Sequence, residues 1–154
     1  MKKTLNEVYL GLVGHVVGHY WYGVGQWPNE GSPGEVEFDH NAVMKRDEEH
    51  GDVVGFFHTH PMSLASPSMT DYATMGAWTV CFGKPLVCCI KGVNGHKAHW
   101  FIDDETKHVT GWVRRFGDIW IGRVPKKVRK AIKRKEDERR RRAEKVRAAA
   151  TSGT

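Results

Sequence analysis

Three residues within a stretch of fourteen have the types and spacing to hold a metal ion: His58, His60 and Asp71. The two histidines sit at i and i+2 of an extended run, so side-chain alternation turns both imidazoles to one side. Pro61 follows at once, stopping the strand and stiffening the turn. Two imidazoles and one carboxylate leave a fourth tetrahedral position for water, which is the donor set of a catalytic rather than a structural zinc site. Zinc there lowers the pKa of that water to about 7, so hydrolysis becomes accessible at neutral pH. Each half of the pattern has a plainer reading alone. His-x-His is common on surface strands, and Ser68-x-x-Asp71 is a helix-capping sequence in which Ser68 caps and Asp71 favours the helix dipole. The two halves together point to the metal.

The elements that must position these residues are legible in the pattern. Val53 to His58 reads as a buried strand running straight into the histidine pair. Pro61 to Pro67 reads as a loop, and Met69 to Val80 has helical spacing, with Met69, Tyr72, Ala73, Gly76, Ala77 and Val80 on one side. Val8 to Gly14 and Val16 to Trp27 read as strands, with Gly14 and Gly18 as bends. The turn chemistry of residues 28–34 predicts a loop, Glu35 to Phe38 a short strand and Asn41 to His50 a helix. Pro85 to Ile90 and His99 to Ile102 complete the strands, while Val109 to Trp120 fits either state. Strands alternating with helices imply a mixed α/β domain over residues 1–124, and Pro125 opens a basic helical or disordered tail over 125–154.

The bulk properties narrow the setting. At 154 residues the chain fits one domain plus an appendage. It has no apolar run long enough for a membrane span, and its N-terminus turns acidic at Glu7 before any apolar stretch, unlike a signal peptide. The three cysteines, Cys81, Cys88 and Cys89, are odd in number and lie in apolar surroundings, so they read as reduced core residues of a cytoplasmic protein. Residues 126–147 hold 13 Lys or Arg against four acids, a net +9, which leaves −3 for the rest of a chain whose total is +6. With few apolar residues and no continuous stripe, this tail reads as solvated, with nucleic acid or an acidic protein as the partner its charge would attract. It has no interleaved aromatics, so base stacking is not suggested. The seven other histidines, His15, His19, His40, His50, His96, His99 and His108, have no ligand partner at useful spacing and read as structural or solvent-facing. The aromatic set Tyr20, Trp21, Tyr22 and Trp27 reads as core, with half of it available as a groove for an extended peptide.

His58-Thr59-His60-Pro61, six further residues, then Ser68-Met69-Thr70-Asp71 resembles the signature of the JAMM (MPN-plus) zinc metalloproteases, and Gly55-Phe56-Phe57 is similar to the lead-in of that motif. The resemblance covers roughly residues 7–105. It implies an α/β fold of the cytidine-deaminase-like kind, a sheet flanked by helices, with one zinc per chain on His58, His60 and Asp71. It further implies that Ser68 helps hold the tetrahedral intermediate and that an upstream glutamate is general base and acid. The family places that glutamate just ahead of an apolar first strand ending in glycine seven residues later, which Glu7 to Gly14 fits; Glu37 is the alternative. The activity implied is isopeptidase or peptidase hydrolysis of an amide bond at the C-terminal tail of a ubiquitin-like modifier or its precursor, with conjugation-pathway proteins as further partners.

Two other functions are weighed against it. One is a DNA-associated protein like the RadC group, which resembles this motif but typically has Asn between the histidines and Ser-Gly after the proline, where Thr59 and Met62-Ser63 stand here. The other is a non-catalytic MPN-type scaffold, whose members have typically lost a zinc ligand; all three are retained here.

Overall fold

The computed structural model describes residues 7–31, 39–103 and 108–152. Eight strands form one sheet in the order β6-β5-β4-β3-β1-β2-β8-β7. They are β1 (Glu7–Val17), β2 (Tyr20–Gly31), β3 (Val53–Thr59), β4 (Leu86–Gly92), β5 (Gly95–Phe101), β6 (His108–Gly111), β7 (Val113–Phe116) and β8 (Ile119–Arg123). Helices α1 (His40–His50), α2 (Met69–Phe82) and α3 (Lys126–Ser152) complete the mixed α+β fold. The β3–β4 pair is parallel and is bridged by α2, as a parallel crossover requires. The other described strand pairs are antiparallel.

Both faces of the central strands are covered, which explains why β3 reads as an unbroken apolar run rather than an alternating one. On one face, Tyr9, Val43, Phe56, Met75, Trp78 and Phe82 join a core with α1 and α2. On the other, Leu12, Trp21, Phe57, Trp100, Trp120 and Val128 form a second core closed by the first turns of α3. Helix α1 starts at Asp39, whose side chain accepts from the Ala42 N–H, and ends at Gly51 in the left-handed region. Gly55 sits where β3 meets β4 most closely; a Cβ there would lie 1.9 Å from the Val87 carbonyl oxygen.

Several expectations change. Residues 28–31 continue β2 instead of opening a loop, because Tyr9, Val8 and Glu7 pair with Asn29, Glu30 and Gly31. Gly14 stays within β1, its N–H donating to the Asp52 carbonyl, while Gly18 does begin the turn. The ambiguous stretch from Val109 resolves into β6, β7 and the start of β8. Helix α2 forms, but Met69, Ala73, Ala77 and Val80 face solvent, and Met75, Trp78 and Phe82 are the buried side. Both sides are apolar, so periodicity alone had no basis for choosing between them. Cys88 and Cys89 are buried free thiols, whereas Cys81 is exposed on the same solvent side of α2. The basic tail is one helix, and it is not wholly solvated: Val128 and Ala131 are buried, with Ile132 packed beside them. Glu35 to Phe38 lies outside the described residues. Among those described, no helix is long and apolar enough to cross a membrane.

Candidate metal centre

Strand β3 delivers His58 at its buried end, and His60 follows one residue beyond the strand. The His60 N–H donates to the Lys91 carbonyl at 2.7 Å, so the alignment with β4 continues past the last paired residue. Asp71 arrives from the opposite direction, on the first turn of α2. There it closes a capping box: Ser68 Oγ accepts from the Asp71 N–H at 3.1 Å, and Asp71 Oδ2 accepts from the Ser68 N–H at 2.8 Å.

The three side chains converge. His58 Nε2 lies 3.1 Å from His60 Nε2 and 3.2 Å from Asp71 Oδ1, and His60 Nε2 lies 3.3 Å from Asp71 Oδ2. Four donors at about 2.0–2.1 Å around a tetrahedral ion stand about 3.3–3.4 Å apart, so these spacings match the edges of such a shell. His58 and Asp71 are 2% exposed and His60 10%, which leaves the group closed on the protein side and open on one. Burial pushes the Asp71 carboxyl up, but hydrogen bonds from His58 and His60, the attraction of His58 and the Ser68 N–H hold it well below the ordinary carboxylate range. It is therefore ionised, as a ligand must be. The same carboxylate raises the His60 pKa against the effect of burial, aided by the Leu64 carbonyl, so protons compete with an ion for this nitrogen.

Surrounding groups orient the ligands. His60 Nδ1 lies 3.1 Å from the Leu64 carbonyl, which accepts from it, so the proton that an ion would displace is the one on Nε2 that faces Asp71. His58 stacks on Tyr9, and its Nδ1 is 3.8 Å from Cys88 Sγ. Burial raises the Cys88 thiol well above its ordinary value, and its sulfur sits beside Nδ1, not beside the Nε2 that faces Asp71. The loop from Pro61 to Pro67 is pinned from the β4–β5 hairpin: Asn94 Oδ1 accepts from the Ala65 N–H at 2.8 Å, the Val93 N–H donates to Ser63, and His99 Nε2 donates to the Ala65 carbonyl at 2.7 Å. Gly92 lies directly under this loop; a Cβ there would be 2.3 Å from the Ala65 nitrogen.

An open cleft of about 480 Å³ lies over the group, lined by Glu7, His60, Ser63, Leu64, Ser68 and Asp71 among others. Glu7 comes from the first residue of β1. Tyr9 pairs with His58 across β1 and β3, so two residues back Glu7 reaches the level of His60. The Tyr9 hydroxyl donates to Glu7 Oε2 and aims the carboxylate. The structure thus brings His58, His60, Asp71, Ser68 and Glu7 together; Glu37 lies outside the described residues. Residues that the spacing did not reveal are Tyr9, Leu64, Asn94 and His99, which act through orientation. Asn94 and His99 come into play only because the β4–β5 hairpin arrives beside the loop, Tyr9 because β1 pairs with β3, and Leu64 because the loop folds back on His60.

The profile of prokaryotic homologs of the JAB domain matches residues 11–112, more than half of the chain. The chain belongs to the JAB family. Both the eight-stranded α+β fold and the buried His-His-Asp group accord with this membership. The matched segment contains His58, His60, Asp71 and Ser68 but stops short of Glu7 and of α3. A comparison with curated proteins finds no match. Of the aromatic set considered above, the exposed members Tyr20 and Tyr22 pair with Val17 and His15 at the far end of β1 from Glu7, away from this cleft.

Proposed function

We propose that the chain is a zinc-dependent isopeptidase or peptidase that cleaves an amide bond at the C-terminal tail of a ubiquitin-like modifier or its precursor. One observation carries the reading: three ligand atoms stand at tetrahedral spacing, and two of their residues, His60 and Asp71, line a cleft that also presents a carboxylate, Glu7, and a hydroxyl, Ser68. His58 Nε2, His60 Nε2 and Asp71 would hold the ion. When bound, zinc supplies Lewis acidity and a water of pKa about 7.

The remaining work falls to the chain. Glu7, oriented by Tyr9, takes the proton of the attacking water and returns it to the departing amine, the two halves of general base and acid catalysis. Ser68 Oγ already accepts the Asp71 N–H, so its own O–H proton is free to donate toward the oxyanion that develops over the cleft. The pinned 61–67 loop holds both ends of this arrangement at fixed separation before substrate arrives, as preorganised stabilisation requires. A scaffold without chemistry would not need the two imidazoles and carboxylate to meet at ligand spacing.

The test is to incubate metal-replete protein with ubiquitin-like proteins carrying a C-terminal extension, with and without a chelator, and to follow cleavage by mass spectrometry. Chelator-sensitive cleavage at the tail supports the proposal. Intact substrates alongside a full complement of zinc would reject it.

A further inference from the structure

Helix α3 divides into two parts. Its first turns are docked: Val128 and Ala131 are buried, and Ile132 packs on the same core. From Arg139 to Ser152 every residue is exposed, fourteen residues or about 21 Å of helix, of which Arg140 still borders a cleft beside Val16 and His19 and the following residues run beyond it. The helix passes Val16, Gly18 and His19 before this point, so the free part leaves at the end of β1 opposite Glu7.

The free part carries Arg139, Arg140, Arg141, Arg142, Lys145 and Arg147 against one acid, Glu144, a net +5. Arg140 lies 3.8 Å from Asp137; the other five cations make no ion pair among the described residues. At about 100° per residue, the four consecutive arginines ring the helix completely, and Lys145 and Arg147 fall between them. Arg139–Arg142, Arg141–Lys145 and Arg142–Lys145 are like-charge neighbours at i,i+3 or i,i+4, each of which opposes helix formation. A short helix that buries nothing is marginal in water even without such repulsion. Asp137 and Glu138, four residues before Arg141 and Arg142, offset part of this repulsion, and the remaining excess of positive charge is relieved by a ligand with negative charge on several sides.

We infer that the free part of α3 binds duplex nucleic acid, seated in a groove with phosphates along both of its walls. A groove admits an α-helix and presents anionic walls on either side, which matches charge around the whole circumference. A flat anionic membrane would use only one side, and the segment has no apolar face to insert beside it; Val146 is its one large aliphatic side chain. It also has no aromatic residue, which disfavours stacking on single strands.

The experiment measures binding of the full chain to DNA and RNA duplexes of about 20 base pairs across salt concentrations, with helicity followed by circular dichroism. With six cations engaged, log K against log salt should have a slope near −5, so that affinity falls about 10³-fold between roughly 50 and 200 mM salt. Replacing Arg139, Arg140, Arg141 and Arg142 together by Gln should flatten the slope by about 3 to 4, whereas the same four changed to Lys should retain it. Helicity should rise on adding duplex to the parent chain and not to the Gln variant. A slope unchanged by the Gln replacements overturns the inference, as does equal affinity for phosphatidylserine vesicles, polyglutamate or an unpaired strand. Cleavage of modifier tails should be the same in parent and Gln variant, which separates this test from that of the metal centre.

Discussion

The metal centre and the free part of α3 are both built from charge, but they hold it in opposite ways. At the centre, one carboxylate is buried, hydrogen-bonded twice by imidazoles and once by a backbone N–H, and kept ionised by that surrounding. Along the distal helix, six cations stand in solvent with a single long ion pair among them. The first arrangement depends on position and the second on number. A single substitution should therefore abolish what the centre does, while the helix should lose its contribution one increment at a time.

The largest effect tests the positional side of that contrast. His58→Ala and Asp71→Asn should each reduce bound metal from one per chain to almost none by atomic absorption, with tail cleavage falling to background. A variant that kept its metal would show that the centre tolerates loss of a ligand as the helix tolerates loss of a charge. Next, Glu7→Gln should lower kcat by about 10²–10⁴-fold with metal content unchanged, because proton transfer is removed while the ligands stay. Ser68→Ala should lower kcat by about 10²–10³-fold if its hydroxyl donates to the oxyanion, and separately cost about 1 kcal/mol of stability as a lost cap. A fall in melting temperature with kcat intact would leave Ser68 only the cap.

Asn94→Ala should act one step further out. The Ala65 N–H loses its acceptor, the loop loosens, and zinc affinity measured by competition with a chromophoric chelator should weaken about 10-fold or more. Acid provides a subtler probe of the same loop. Burial lowers the His99 pKa to about 4, below its ordinary value near 6.5. Unfolded chains therefore bind this proton first, and the stability His99 gives is complete above about pH 6.5 and lost as pH falls toward about 4. Melting curves of the parent and His99→Gln should diverge most at neutral pH and approach each other through that window. The smallest effect lies on the helix, where Arg141→Gln alone should change the salt slope for duplex by about 0.9 and leave cleavage untouched.

The candidate ligands were legible in the sequence because each half of the motif is written in local structure. The i, i+2 histidines need only a strand, and Ser68 and Asp71 need only the first turn of a helix. Glu7 was reachable through its spacing from the strand it opens, and the β1–β3 register puts it level with His60, while its competitor Glu37 lies outside the described residues. Tyr9, Asn94 and His99 were not legible, since their roles come from pairings made by residues tens of positions apart. The buried side of α2 was missed for a different reason: both of its sides are apolar, and burial was decided by which one met β4 and β5. In α3, two residues, Val128 and Ala131, were enough to dock a helix whose composition reads as solvated.

The capping box has a consequence for how such a chain could decay. Ser68 and Asp71 start α2 whether or not an ion is present, because each satisfies the other's backbone N–H. The histidine side chains also make contacts, His60 with the Leu64 carbonyl and His58 with Tyr9, but neither starts a helix. In a lineage released from selection for hydrolysis, imidazoles would drift first, while serine and aspartate would persist as fossils retained for folding. Survival of the Ser-x-x-Asp half in a relative would then record ancestry and say little about whether that relative still cuts anything.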